Sequence, residues 1–77
     1  MTDHRLLRLQ RIFREIFDDP GLTLTVDYSM KQHAEWDSVA TVQIVLATEQ
    51  EFHFRFSTDA VARVKSVGDL LGALPAQ

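Results

Sequence analysis

Leu6, Leu9, Ile12, Phe13, Ile16 and Phe17 recur at spacings of three and four between Asp3 and Phe17, which predicts a helix with one apolar face. Arg5, Arg8, Arg11 and Arg14 recur every third residue beside that face. Such a strip is expected to be solvated, with docking to an acidic partner as its alternative use. Asp18-Asp19-Pro20-Gly21 ends the helix, because proline lacks an amide donor and glycine enters turn geometries readily.

A different period follows. Leu22, Leu24, Val26 and Tyr28 alternate with Thr23, Thr25 and Asp27, and Phe52, Phe54 and Phe56 interleave with His53 and Arg55, so period two predicts two half-buried strands. Val39 to Leu46 is rich in β-branched residues and admits strand or helix. On pattern alone an α+β fold is open. Two features favour a helix from Ser38 to Phe52: the segment is longer than a typical strand and free of Gly and Pro, and Asp37 suits the N-cap. That helix is expected to set Val42, Val45, Leu46 and Phe52 near one face, with Glu49 and His53 four apart on another. Ser57 to Val61 predicts a short helical turn. Ser66-Val67-Gly68-Asp69 resembles a capping box ahead of Leu70, Leu71 and Leu74, the stripe of a last short helix ending before Pro75.

Composition narrows the function classes. The 77 residues show no repeat and no second domain, so residues 1–77 are expected to form one small domain, burying only about 60% of its unfolded surface. A deep catalytic cavity is not expected. A net charge of −3 supplies no general phosphate-binding footprint, which argues against nucleic acid. The absence of cysteine excludes a thiol nucleophile or a cysteine-ligated metal, so any thiol chemistry must be imported. His4, His33 and His53 lack metal-site spacing, and no metal is assigned. Asp59 and Glu51 read as surface charge rather than a catalytic pair. The start, Met1 to Arg5, has no apolar signal region, and no apolar run approaches the ~20 residues of a membrane span. A cytoplasmic monomer is expected.

The candidate chemistry lies in Trp36-Asp37-Ser38-Val39. Ser38 falls at a turn-to-helix junction, and no local Ser-His-Asp order provides a base to make its hydroxyl a nucleophile. A helix N-terminus does favour an attached phosphate, through its dipole and free amides.

Taken in order, the amphipathic first helix, the long connection, Asp37-Ser38-Val39, the helix ending Glu49-Gln50-Glu51-Phe52, Phe56-Ser57 before a short helix, and Ser66-Val67 opening the last resemble the acyl carrier protein family over nearly the whole chain. The resemblance implies an all-α fold: a small four-helix bundle with a long loop between helices 1 and 2 and a short helix 3, overruling the strand-like alternations. It implies a 4′-phosphopantetheine arm on Ser38, attached from coenzyme A by a phosphopantetheinyl transferase that supplies the missing activation. The chain itself would then be no enzyme. It would carry an acyl or aminoacyl thioester from a loading enzyme to a downstream acyl-transferring or condensing enzyme. Asp37 would cap the helix and be recognised by the transferase, and Val39 and Leu46 would contact partners. Burial is the competing expectation for Leu46.

The chain departs from carriers of fatty-acid synthesis. Ala40 and Gln43 stand at positions that are often acidic there, and only Glu35, Asp37, Glu49 and Glu51 leave negative charge near the helix ends. Trp36 resembles carriers with a Trp-Asp-Ser motif, many of them associated with specialised biosynthesis; its structural expectation is a hydrophobic lid. An unmodified interaction module built on the same fold is the alternative function.

Overall fold

The computed structural model describes residues 4–74. Four helices follow one another: α1 (His4–Ile16), α2 (Ser38–Phe52), α3 (Thr58–Arg63) and α4 (Val67–Ala73). The all-α expectation holds. Asp3 and Pro75, which bounded the expected first and last helices, lie outside the described residues.

Both strand-like alternations are real patterns of burial without being strands. Leu22, Leu24 and Tyr28 are buried between exposed Thr23, Thr25 and Asp27, but the segment is an extended loop laid over the bundle. Val26 breaks the alternation at 55% exposed. In the second run, Phe52, Phe54 and Phe56 are half-buried while His53 and Arg55 face solvent, again outside any strand. The one sheet-like contact among the described residues is an isolated antiparallel bridge between Ser29 and Ser66. There the Met30 amide donates to the Lys65 carbonyl and the Val67 amide to the Tyr28 carbonyl, each at 2.9 Å, tying the long loop to the start of α4.

Helices α1 and α2 end without glycine. Asp18 takes the left-handed conformation, φ 51°, while its amide bonds Glu15 O and the Asp19 amide bonds Arg14 O. This is the two-bond closure of a Schellman cap, in which Asp replaces the usual glycine. His53, φ 56°, closes α2 similarly, with its own amide and that of Phe54 donating to Glu49 O.

Phe13 lies at the centre of the core, 0% exposed. Its ring meets Trp36 edge-on at 5.2 Å and Tyr28 edge-on at 5.7 Å, arrangements worth about 0.5–1.5 kcal/mol each beyond area burial. Trp36 therefore belongs to the interior rather than lying over it as a lid. Burial together with the nearby Glu35 carboxylate pushes the Tyr28 phenol up to about 12.

The expected faces of α1 and α2 need correction. Arg8 Nε donates to Glu51 Oε2 at 2.8 Å, Arg11 reaches the same carboxylate at 3.2 Å, and Arg14 Nε donates to Leu22 O at 2.7 Å. Arg5 also reaches the Leu71 carbonyl, at 3.5 Å. The arginine strip thus fastens α1 to α2, α4 and the long loop instead of forming a purely solvated face. On α2 the buried positions are Ala40, Thr41, Ile44, Val45 and Thr48, whereas Val42 and Leu46 are each 54% exposed. The two threonines explain the error: Thr48 Oγ1 donates to Ile44 O at 2.6 Å, so a nominally polar residue lies inside with its hydroxyl satisfied by the helix itself.

Candidate functional site

The junction before α2 is held in place by four hydrogen bonds. Asp37 has extended backbone and its Oδ1 accepts the Ala40 amide at 2.9 Å, as an N-cap should. The Asp37 carbonyl accepts both the Thr41 amide, at 2.9 Å, and the Thr41 hydroxyl, at 3.0 Å. Thr41 Oγ1 in turn accepts the indole N–H of buried Trp36 at 2.9 Å. The core thereby fixes the turn, and Ser38 follows as the first residue of the helix with its side chain exposed.

The other described serines are placed differently. Ser57 and Ser66 cap α3 and α4, with their hydroxyls accepting the Ala60 and Asp69 amides. The capping box at Ser66 is shifted by one residue, since Asp69 Oδ2 accepts from the Lys65 amide rather than from that of Ser66. Ser29 is half-buried in the bridge. Ser38 alone among the described serines combines an exposed hydroxyl with the first turn of a long helix.

Ser38 opens onto a groove of about 260 Å³ between α2 and α3, whose apolar part is formed by Met30, Val42, Val61 and Val64 and whose rim includes Lys65. Val39 stands beside it at 67% exposed, and Leu46 continues the Ser38, Val42 row at four-residue spacing on the same helix face. Asp37, Ser38, Val39 and Leu46 are all solvent-facing along one helix. Sequence pattern missed Val42 as part of this face, although its position midway between Ser38 and Leu46 carried the signal. It also missed Thr41, whose role depends on contacts across the fold, and Lys65, which reaches the groove from beyond α3. A larger open depression of about 410 Å³ lies at the far end of α2 beside Leu46, His53 and Arg55. Glu49, which borders it, accepts the Phe56 amide at 2.8 Å instead of pairing with His53.

A family model for the phosphopantetheine attachment site matches residues 7–74. The chain belongs to that family of acyl carriers. Its relatives include acyl carrier protein 3 of Ralstonia nicotianae, 31% identical over 64 residues that cover 83% of this chain and 74% of the relative. An acyl carrier protein of Acidothermus cellulolyticus is likewise 31% identical over 64 residues, covering 83% of this chain and 76% of its own length. No solved structure matches at comparable significance.

Membership implies a covalent 4′-phosphopantetheine arm and the role of a carrier rather than a catalyst, working with a phosphopantetheinyl transferase and with biosynthetic enzymes. The residues of the junction fit such a group. An exposed hydroxyl at a helix N-terminus accommodates a phosphodiester, and a groove with an apolar lining and a cationic rim suits a chain that is anionic at one end.

Proposed function

We propose that Ser38 bears the arm and that residues 1–77 act as one carrier domain, delivering an acyl or aminoacyl thioester between a loading enzyme and an acyl-transferring or condensing enzyme. The observation that carries this is the exposed Ser38 hydroxyl at the start of α2, where two other serines have their hydroxyls engaged as caps.

Bound to Ser38, the arm supplies the thiol that this cysteine-free chain lacks. Each residue of the junction has a separate task. Asp37 stabilises the helix start through the Ala40 amide and leaves a charged oxygen for the transferase. Ser38 Oγ forms the new bond to phosphorus as the anhydride bond of coenzyme A breaks; the hydroxyl proton leaves to a base of the transferase, and the nucleotide half departs. Val39 and Leu46 offer apolar contact to partner enzymes, as their exposure suggests.

The pathway we favour is specialised biosynthesis. Carboxylates are scarce on this face: Glu51 is paired with Arg8 and Arg11, Glu49 is turned to the Phe56 amide, Gln43 is neutral, and Ala40 is buried. Exposed charge steers association, so partners that recognise an acidic helix are poorly served here. The same reading places the carrier in the cytoplasm as a monomer, where coenzyme A and the transferase are at hand.

Incubation with coenzyme A, magnesium and a broad-specificity phosphopantetheinyl transferase, followed by intact-mass measurement, tests the assignment. The wild type should gain one phosphopantetheinyl group and Ser38→Ala none. An unmodified wild type would favour the interaction-module alternative, and gain retained in Ser38→Ala would move the site elsewhere.

A further inference from the structure

We propose that His33 and Glu35 are positioning residues for the modification of Ser38: they brace the turn that enters α2, and the brace tightens when the imidazole takes up a proton. This rests on Ser38 being the attachment residue.

The turn lies directly before the serine. The amide of Trp36 donates to the His33 carbonyl at 3.0 Å and that of Asp37 to the Glu35 carbonyl at 3.1 Å, so both residues preceding Ser38 are tied to this pair. The side chains of the pair are tied to the core. The His33 ring stacks on Tyr28, with centroids 3.7 Å apart and planes 6° from parallel, and its Nδ1 lies 3.5 Å from Glu35 Oε1. The Tyr28 hydroxyl donates to the same carboxylate oxygen at 3.4 Å. Tyr28 itself is buried, meets Phe13 of α1 edge-on, and accepts the Val67 amide of α4 at its carbonyl. One exposed carboxylate and one half-buried imidazole therefore connect the entrance of α2 to a platform fixed by α1 and α4.

These contacts make the brace sensitive to charge. Imidazole ordinarily changes charge between about pH 5 and 8, a range in which carboxylates stay ionised. The Tyr28 phenol, pushed up to about 12 by burial and by Glu35, remains a neutral donor throughout. A proton on His33 adds a cation both to the Glu35 pair and to the face of the phenol ring. Asp19, which acts on Tyr28 from the turn after α1, is a carboxylate too and does not oppose that charge. Phe13 and Trp36, the other rings that meet Tyr28, are neutral. The brace is thus strongest at the acid end of the range and relaxes as pH rises.

The test measures amide exchange with water at Trp36 and Asp37 by NMR on the full chain at about pH 5.5 and 7.5, each rate divided by that of an unprotected amide at the same pH. An exposed pair shifts such an equilibrium by about 1.5- to 5-fold, so protection of both amides in the wild type should fall by that factor across the range. His33→Phe keeps a ring on Tyr28 without the charge, and Glu35→Gln removes the anion; both should give flat profiles. His33→Arg, a planar cation throughout, should hold the acid-end protection at both pH values. His4→Gln should behave as the wild type. Loading by the phosphopantetheinyl transferase is the second readout: the ratio of kcat/KM for wild type to that for His33→Phe should be larger at the acid end.

Flat wild-type protection, a slope in His33→Phe equal to that of the wild type, or a loading ratio independent of pH would overturn the inference. The wild-type profile decides alone if a variant folds poorly. The two readings fail separately. A wild type that gains no phosphopantetheinyl group removes the attachment assignment and this role with it, whereas a normal gain with any of the overturning results removes this inference alone.

Discussion

The indole N–H of Trp36 donates to Thr41 Oγ1 at 2.9 Å, and the Thr41 hydroxyl donates onward to the Asp37 carbonyl at 3.0 Å. One side chain thus joins the aromatic core to the carbonyl that opens α2. Ser38 owes its position to this relay, because Asp37, the residue before it, is held by a hydroxyl bonded to the interior.

Thr41→Val keeps the shape but removes the acceptor for a buried donor. Leaving such a group unsatisfied costs about 1–3 kcal/mol, and Thr41→Ser should recover most of the loss. Urea unfolding followed by Trp36 fluorescence measures both variants; equal midpoints for Thr41→Val and wild type would show that the relay does not stabilise the junction.

Ile44 and Leu46 are two residues apart on α2 but differ in surroundings, at 0% and 54% exposed. Ile44→Ala should destabilise by ~2–5 kcal/mol through loss of buried contacts and a residual cavity. Leu46→Ala should change stability by no more than about 0.5 kcal/mol. If Leu46 serves partners, its variant should still slow arm addition by the transferase. Unfolding midpoints and initial modification rates, measured on the same samples, separate the two effects.

Hydrogen bonding from Arg8, with the charges of Arg8 and Arg11, holds the Glu51 carboxyl below its ordinary value. A carboxyl depressed in the folded state contributes stability above its unfolded pKa of ~4.3 and loses that contribution as pH falls through the folded value. Glu51→Gln should therefore lower Tm near pH 7 by no more than a few degrees, since a solvent-reached ion pair contributes only ~0.2–1 kcal/mol. The difference from wild type should vanish in strong acid. A gap that persists unchanged at low pH would assign the effect to packing.

Local chemistry made parts of this molecule legible. Asp37 and Ser66 were recognisable as caps because a cap is a contact between residues three apart. The alternation from Leu22 to Tyr28 was harder, since a loop lying on a core and a strand half-buried in a sheet show the same period. Hydrogen bonding separates them: the loop meets the start of α4 only at the bridge and at Val26 O, where the Gly68 amide donates. The buried face of α2 was misjudged because Thr41 and Thr48 count as polar until their hydroxyls are seen to bond Asp37 O and Ile44 O.

From the order of its residues alone, this chain determines four helical segments, the capped start of α2 and the candidate serine, because propensity, capping and spacing act over one or two turns. Tertiary structure decided what depends on distant partners. It turned the arginine strip into ties across the bundle, placed Trp36 against Phe13, and left Val42 and Leu46 facing outward. It also brought Lys65 to the rim of the groove onto which Ser38 opens. No spacing rule connects those two residues, since their proximity depends on how α3 packs beside α2.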